Sequence, residues 1–409
     1  MLIPFDEVRR TVLDAVPVLE GATVPLLEAL GLVTVAPLAA AEPIPPFANT
    51  AMDGYALRAT DTTGAGRESP VRLDVVGEIP AGRAPTVAVG PGQAIRIMTG
   101  GPMPDGADAV LMVERTERDG ADGVRIFAEA RPGDHVRRAG GDLAEGTVAF
   151  PAGTVLGPAH LGVVASLGHA HVDVVRRPRV AVMSTGDELV PPGGGPLELG
   201  KIRDSNRPML IALVNQAGCE AVDFGITRDD EEVMTSRLEE AVATCDALVT
   251  SGGVSVGDYD IVKAVLDRMG KLSWFQVAIK PAKPFAFGVF GTTPVFGLPG
   301  NPVSSHVSFE MFARPALLQM MGQPHRFRPV RAATAAHAMP RPRDGKLHLD
   351  RVRVERDGDR LVAASTGVQA SNVLSAMAMA NALAMIPDGE GVAEGGTVEV
   401  MLLERPADH

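Results

Sequence analysis

Residues 179–188, with the sequence RVAVMSTGDE, indicate most directly which fold the chain adopts. The apolar run from Arg179 to Ser184 predicts a buried strand, and the polar, glycine-containing segment after it predicts a tight turn. Downstream, Asp204-Ser205-Asn206 predicts the cap of a helix that runs to Ala217. Further strands are predicted at 221–226, 247–250, 275–279 and 295–298, with helices at 229–244, 259–269 and from 303 onward. Alternating strands and helices predict a parallel sheet covered on both faces.

The rest of the chain has different residue patterns. The first forty residues predict helix, with apolar residues such as Val8, Val12 and Val16 at helical spacing. From about 41 to 143, short alternating segments between Gly/Pro turns predict a small β-rich domain. Residues 146–175 predict a return to the first region, with a helix at 159–166, so the β-rich segment reads as an insertion. A Pro/Arg-rich link at 324–342 precedes a small β domain at 346–403.

Bulk properties exclude several classes of protein. A chain of 409 residues is too long for one core and predicts two or more domains. A net charge of -12 without a Lys/Arg cluster argues against nucleic-acid binding. Cys219 and Cys245 fit no metal-ligand spacing and are expected to be reduced and buried. Without a signal profile or an apolar run of about 20 residues, we expect a cytoplasmic protein outside the membrane.

Four marked loops follow predicted strands of the α/β segment, at 184–188, 251–260, 280–284 and 298–305. Ligands of open parallel sheets bind outside the carboxyl ends of the strands. Glycines admit a phosphate to the backbone, Lys280 and Lys283 could neutralise an oxyanion, and carboxylates could hold Mg2+ through water. Each loop alone could be an ordinary turn, helix cap or solvated surface. Together they predict an enzyme with a phosphate-containing ligand, without identifying the substrate.

A second cluster lies in the β-rich segment at 45–56, which contains Phe47, Asn49, Met52, Asp53 and Tyr55. It could be a buried segment at which the chain enters the β-rich domain. Alternatively, it could supply an acid and an amide to a site that faces another domain. The residues by themselves leave both interpretations open.

Several motifs in order and spacing resemble the molybdopterin molybdotransferase family, which includes the C-terminal part of gephyrin. The motifs that carry this resemblance are Pro46-Phe47, the run 49–56, Ile97-Met98-Thr99-Gly100, Gly140-Gly141-Asp142, the run 184–189, Asp204-Ser205-Asn206, and the runs 251–260, 280–284 and 297–304. They span the chain from about residue 5 to its end.

The resemblance implies a multidomain α/β plus β fold. The implied domains are an elongated helical/β N-terminal domain (1–40 and 146–177), an inserted β-rich domain (41–145), a parallel-sheet α/β molybdopterin-binding domain (178–324) and a C-terminal β-barrel-like domain (325–409). It also implies a homodimer that inserts molybdate into adenylylated molybdopterin, using Mg2+ and releasing AMP, to give molybdenum cofactor.

Site residues follow from the matching motifs. Catalytic roles are implied for Asp53, Thr99, Asp142, Glu188, Asp229 (or its neighbour Asp230) and Asp260, of which Glu188, Asp229 and Asp260 are the implied Mg2+ ligands. Molybdate binding is implied for Lys280, Lys283, Ser304, Arg351 and Ser371. Substrate binding is expected of Ser184, Thr185, Gly186, Ser251, Gly252, Gly253, Ser255, Pro299, Gly300 and Asn301.

Two other functions stay open at this point. A related α/β domain occurs in molybdopterin adenylyltransferases, although the additional domains of this chain argue against that activity. A molybdopterin-binding scaffold or sensor without catalysis is the other alternative. Transient contacts with a molybdopterin adenylyltransferase and with acceptor molybdoenzymes are expected if the chain is the transferase.

Overall fold

The computed structural model describes residues 2–228, 230–252, 265, 268 and 272–404. Its contacts divide the chain into two compact units. The larger unit comprises Met1–Ala22, Gly31–Val33 and Asp173–His409, and the smaller unit comprises Thr23–Leu30 and Thr34–Val172.

The first helix confirms the helical prediction for the N-terminus only in part. Helix α1 (Phe5–Asp14) buries Val8 and Val12 completely, which stabilises the fold by roughly 1.5–3 kcal/mol for each side chain. After it, Gly21–Pro25 is a strand and Leu26–Ala29 is a short 3-10 helix, contrary to the prediction of helix. Pro17, Gly21 and Pro25 interrupt the apolar spacing, because proline and glycine both disfavour a helix interior.

Short strands dominate the segment up to residue 175, as predicted. They are β1 (Gly21–Pro25), β2 (Leu38–Ala39), β3 (Asn49–Thr50), β4 (Gly54–Leu57), β5 (Val71–Ile79), β6 (Gln93–Ile97), β7 (Ala109–Met112), β8 (Thr116–Arg118), β9 (Gly123–Ile126), β10 (Val136–Arg137), β11 (Val148–Phe150) and β12 (His171–Val175). Helix α2 (Pro158–Ser166) confirms the helix predicted at 159–166. Six strands form a mixed sheet in the order β7-β4-β6-β5-β9-β8.

The α/β sheet of the larger unit confirms the strands predicted around residue 179. Its parallel part contains β13 (Arg179–Thr185), β16 (Glu220–Thr227), β17 (Ala247–Ser251) and β21 (Thr293–Leu298), in the order β16-β13-β17-β21. The helices that follow its strands are α3 (Asn206–Gln216), α4 (Glu231–Thr244) and α5 (Pro302–Ser308). The short strands β14 (Leu189–Val190) and β15 (Ile202–Arg203) pair with each other. Most of the helix predicted at 259–269 lies outside the described residues.

The prediction of a wholly parallel sheet is wrong at one edge. Strands β18 (Leu272–Gln276) and β20 (Pro284–Phe290) complete the sheet antiparallel to their neighbours. Only two residues, Gly291 and Thr292, connect β20 to β21, and such a short turn can join only antiparallel strands. The strand at 284–290 was not predicted.

The C-terminal sheet closes on itself, which confirms a barrel-like domain. Its strands are β22 (Val330–Ala335), β24 (Leu347–Asp357), β25 (Arg360–Ser365), β26 (Ala382–Ile386) and β28 (Thr397–Leu402), in the closed order β24-β25-β22-β28-β26 with β26 paired back to β24. Strand β19 (Ile279–Lys280) adds to β24, and β23 (Met339–Pro340) pairs with β27 (Gly391–Val392).

The remaining helical segments of the larger unit are helix α6 (Arg314–Met320), helix α7 (Leu374–Ala378) and a π-helical segment, Phe309–Ala313. Among the residues that the structure describes, no helix is both long and apolar enough to cross a membrane.

Candidate functional site

A cavity of about 400 Å3 lies at the carboxyl ends of the parallel strands. Strand β13 lies between β16 and β17, so the chain leaves it in one direction and returns on the other side. Such a switch in strand order opens a crevice where ligands of α/β sheets bind. The residues that line this sheet-edge cavity are Ser184, Thr185, Glu188, Leu189, Ile202, Arg203, Asp204, Ser205, Asn206, Ser251, Gly252, Pro284, Pro299, Gly300, Asn301 and Pro302.

Most of the predicted substrate-binding residues come together there. Ser184 and Thr185 end β13, Ser251 ends β17 and is followed by Gly252, and residues 299–301 follow β21. Gly186 lines a neighbouring open cavity of about 880 Å3, which also contains Lys201 and Arg228 and shares Leu189 with the first. Gly253 and Ser255 lie outside the described residues.

Two glycines in these loops allow close packing that another residue would prevent. Gly252 has φ +100°, and a Cβ atom there would lie 2.7 Å from both the carbonyl oxygen and the Oγ1 atom of Thr185. Gly186 has φ +142°, and a Cβ atom there would overlap the carboxylate of Glu188. The backbone conformation therefore favours glycine at both positions, and the contact with the Thr185 carbonyl adds to this only at Gly252, since the Glu188 side chain can move.

Asp204 connects the loop after β13 to helix α3. Ser184 Oγ donates to Asp204 Oδ1 at 3.0 Å, and Arg207 Nε donates to Asp204 Oδ2 at 2.9 Å. The Arg207 backbone N–H also donates to Asp204 Oδ1, which confirms the predicted helix cap. The Asp204 residue is 1% exposed, so its charge is neutralised by Arg207 rather than by solvent.

Asn206 also contacts the cavity, and we had predicted only a capping role for its motif. Its Nδ2 atom donates to Ser251 Oγ and to Gly300 O, both at 2.7 Å. The signal available in the sequence was an amide next to a predicted helix start at the ligand-binding edge of the sheet. Its Oδ1 atom is buried and has no hydrogen-bond partner among the described residues.

A second cavity, of about 420 Å3, lies at the barrel end of the larger unit and is called the barrel cavity here. Lys280, His337, His348, Asp350, Arg351 and Gln369 are among its lining residues. We had predicted Lys280 at the α/β sheet edge, and this placement is wrong. Lys280 ends β19, which pairs with β24 of the C-terminal sheet, so strand pairing places it in the barrel cavity together with Arg351.

Arg351 is fully buried, and its guanidinium is only partly satisfied. Nη2 donates to Val368 O at 3.3 Å and to Ala370 O at 3.2 Å, whereas Nε has no partner among the described residues. Burial lowers the pKa of Arg351 and raises the pKa of the adjacent carboxyl, Asp350. The cavity therefore has a buried positive group, Arg351, for which solvent provides little compensation, and such a group favours an anion.

The other predicted oxyanion residues are placed differently. Ser371 contacts the loop after β21, because its Oγ accepts from Asn301 Nδ2 and its carbonyl accepts from the Val303 N–H, both at 3.1 Å. Within the described part of the chain, Lys283 is exposed, Ser304 is buried, and neither lines the sheet-edge cavity or the barrel cavity. The structure thus groups Lys280 with Arg351 and groups Ser371 with Asn301.

Of the three predicted Mg2+ ligands, Glu188 is the one that the structure describes, and it lines the sheet-edge cavity. Asp229 and Asp260 lie outside the described residues, while Asp230 is described and caps α4 by accepting from Val233 N–H at 3.0 Å. The described residues contain no group of three or more His, Cys, Asp or Glu side chains that could hold a metal. Glu188 is nevertheless a carboxylate in the cavity, the kind of oxygen ligand that a hard cation such as Mg2+ takes.

In the smaller unit, Asp53 and Thr99 form one contact pair. The backbone N–H and the Oγ of Thr99 each donate to Asp53 Oδ1 at 2.7 Å. These hydrogen bonds, led by the one from the Thr99 hydroxyl, lower the pKa of Asp53 and favour its carboxylate form. Asp142 is exposed on a separate turn, where its backbone N–H donates to Ile44 O at 2.9 Å.

Comparison with protein families finds three matches along the chain. Residues 3–168 match the MoeA N-terminal region (domain I and II), residues 181–319 a probable molybdopterin binding domain, and residues 333–403 the MoeA C-terminal region (domain IV). Together these matches extend from residue 3 to residue 403 and include the segments that contain the motifs.

Curated relatives and solved structures agree over the whole length. Molybdopterin molybdenumtransferase 2 of Mycobacterium tuberculosis is 41% identical over 397 residues, which cover 96% of this chain and 97% of the relative. The molybdopterin molybdenumtransferase of Nostoc sp. is 37% identical over 422 residues, covering 98% of this chain and 94% of the relative. A crystal structure of the molybdopterin biosynthesis MoeA protein of Pyrococcus horikoshii has a TM-score of 0.83 at 32% identity, covering 99% and 100% of the two chains.

These matches confirm the resemblance that the motifs indicated, and they favour the transferase over the adenylyltransferase and the scaffold. The chain belongs to the molybdopterin molybdenumtransferase family of molybdenum cofactor biosynthesis.

Proposed function

We propose that the chain inserts molybdate into adenylylated molybdopterin, with Mg2+-dependent release of AMP, to give molybdenum cofactor. The observation that carries this proposal is the pairing of two different cavities in one unit. One is lined by glycine turns and hydroxyls at a sheet switch point, and the other by a lysine and a buried arginine. Such a pair suits an organic substrate with phosphate groups and a separate tetrahedral oxyanion.

The sheet-edge cavity is the proposed molybdopterin site. Hydroxyls of Ser184, Thr185 and Ser251 supply hydrogen-bonding groups, and Gly252 brings the backbone close to the ligand. The neighbouring open cavity, with Lys201 and Arg228, offers positive charge to the adenylyl phosphate.

Lys280 and Arg351 are the proposed first contacts of molybdate. The charge of Arg351 is held in a buried position, so its attraction for a dianion is screened less than that of a surface arginine. Ser371 and Asn301 join the loop beside the molybdopterin site to the residues that Arg351 holds, which keeps both substrates in one unit. Lys283, exposed between β19 and β20, and Ser304, buried in α5, remain proposed molybdate-binding residues.

Glu188, together with Asp229 and Asp260, is the proposed set of Mg2+ ligands. Bound Mg2+ would supply positive charge against the pyrophosphate link of the substrate. Asp53, Thr99 and Asp142 of the smaller unit are proposed as catalytic residues, and the Thr99 hydrogen bonds keep Asp53 ionised for that role.

We also propose that the protein works in the cytoplasm as a homodimer with the four domains predicted from the sequence. Its proposed transient partners are the adenylyltransferase that supplies its substrate and the molybdoenzymes that accept its product.

A single-turnover assay with adenylylated molybdopterin, Mg2+ and molybdate tests the proposal. We expect AMP release that depends on molybdate and reconstitution of a cofactor-free molybdoenzyme. Lys280→Ala should raise the molybdate concentration for half-maximal AMP release about tenfold or more, because a hydrogen bond to a charged group contributes about 1.5–3 kcal/mol.

The matched control is Arg343→Ala, which removes one exposed positive charge, paired with Glu390, from the C-terminal domain. It should leave the molybdate dependence unchanged. Binding of the pterin by the wild-type protein without AMP release or reconstitution would contradict the transferase and favour a carrier.

A further inference from the structure

We infer that Asn206 is a positioning residue for pterin binding that acts by orienting the hydroxyl of Ser251. The inference rests on the proposed function, since it takes the sheet-edge cavity as the molybdopterin site. It concerns a residue for which neither the motifs nor the family matches suggested a role beyond capping a helix.

The hydrogen bonds of Asn206 determine which way its amide faces. Gly300 O is a carbonyl and can only accept, so the group 2.7 Å from it must be the NH2 of Asn206. The same NH2 lies 2.7 Å from Ser251 Oγ, so this oxygen is an acceptor as well. Nothing in this arrangement depends on an arbitrary choice between the amide oxygen and nitrogen.

The direction of the Ser251 proton follows. Because Oγ accepts from Asn206, its own O–H points away from the amide, and no acceptor for it is found among the described residues. Ser251 is 2% exposed and lines the cavity, so an atom of a ligand bound there can accept this proton. The pterin ring, with its carbonyl and ring nitrogens, supplies acceptors of that kind.

Asn206 is well placed to hold this geometry. It begins α3, is 8% exposed, and joins loops that lie 45 and 94 residues away along the chain. Its buried Oδ1 has no partner in the described structure. A buried acceptor without a partner in the described structure leaves this side chain open to a role beyond capping the helix.

The test uses a substitution that keeps the shape of the side chain. In Asn206→Asp, both oxygens of the carboxylate can only accept, so Ser251 would donate to residue 206 and its proton would turn away from the ligand. The hydrogen bond to Gly300 O is also lost, equally in the single and the double variant. We expect the affinity for adenylylated molybdopterin, measured by calorimetry without Mg2+ and molybdate, to fall about tenfold or more. AMP release at saturating substrate should fall much less than the affinity.

Ser251→Ala should weaken binding by a similar factor, and the double variant Asn206→Asp/Ser251→Ala should bind no worse than the weaker single variant. Two residues that act through one hydrogen bond are non-additive, whereas a merely structural role of Asn206 would make the losses add. The control is Asn215→Asp in the same helix, where the side-chain Oδ1 that accepts from Ala221 N–H is retained. It should bind the pterin as the wild type does.

Additive losses, or wild-type affinity in Asn206→Asp, would overturn the inference. If Asn206→Asp does not fold, Ser251→Ala alone still decides, because wild-type affinity in that variant removes the proposed contact. These results are separate from the proposed function, which fails only if the wild-type protein binds the pterin and releases no AMP in response to molybdate.

Discussion

At the residue scale, Gly252 shows how a single backbone position shapes the sheet-edge cavity. Its φ of +100° is unfavourable for other residues, and the missing side chain leaves room for Thr185. Gly291 is a useful comparison, because it has φ +61° and no atom within 4 Å of the position that a Cβ would occupy. An alanine at Gly252 would therefore meet both an unfavourable backbone conformation and a close contact, whereas an alanine at Gly291 would meet only the unfavourable conformation.

We predict that Gly252→Ala destabilises the protein more than Gly291→Ala. The left-handed conformation costs alanine about 1–2 kcal/mol at Gly291, and at least as much at Gly252, whose φ lies beyond the αL region. Displacing Thr185 should add about 1–3 kcal/mol in Gly252→Ala only. Urea unfolding measures the difference, and pterin affinity should fall in Gly252→Ala alone. Equal destabilisation in both variants would contradict the close contact.

At the element scale, the π-helical segment Phe309–Ala313 places a carboxylate in the core. All five of its residues are buried, and Glu310 accepts from Arg328 Nε and Nη2, both at 2.9 Å. Arg314 approaches the same carboxylate at 3.8 Å. Arg328 also donates to Leu403 O, so the pair connects the helical segment to the last strand of the barrel.

We predict that Arg328→Met destabilises the larger unit by about 3–5 kcal/mol, because it leaves Glu310 buried without its main partner. Arg343→Met removes an arginine from an exposed pair with Glu390, in which the side chains are 71% and 86% accessible. That variant should cost less than about 1 kcal/mol. Denaturant unfolding of both variants checks the prediction, and similar small costs would count against a structural role for the buried pair.

At the scale of the whole molecule, the smaller unit leaves several large apolar side chains exposed. Leu27 is 83% exposed, Leu30 46%, Val35 42% and Val148 53%. Exposed apolar surface of this kind is typical of protein–protein interfaces when it is contiguous. In the proposed homodimer, a second copy would cover some of these side chains.

Light scattering after size exclusion should therefore give twice the chain mass of 42.7 kDa. Leu27→Glu should shift the mass toward that of one chain, because a charge would have to be buried in the interface. Leu199→Glu, at a fully exposed leucine of the larger unit, is the control and should leave the mass unchanged. A wild-type protein with the mass of one chain would contradict the dimer.

Local sequence patterns determined much of this protein. Apolar runs predicted the parallel strands, Asp204 was expected to cap α3, and the loops after β13, β17 and β21 were predicted to meet at one edge of the sheet. These features depend on residues close together in the chain and on the rule that parallel strands end at the same side. The family motifs extended the prediction to the whole chain and were confirmed.

Tertiary structure alone decided the rest. Lys280 joins the barrel cavity because β19 pairs with β24, whose partner residues lie 68 positions later in the chain (348 − 280), and no local pattern specifies that partner. Arg351 is buried by the closed barrel, although arginine is ordinarily a surface residue. Asn206 reaches two loops distant in sequence. In each case a side chain acquires its role from long-range packing, because the free energy that places it comes from contacts between segments that only the folded chain brings together.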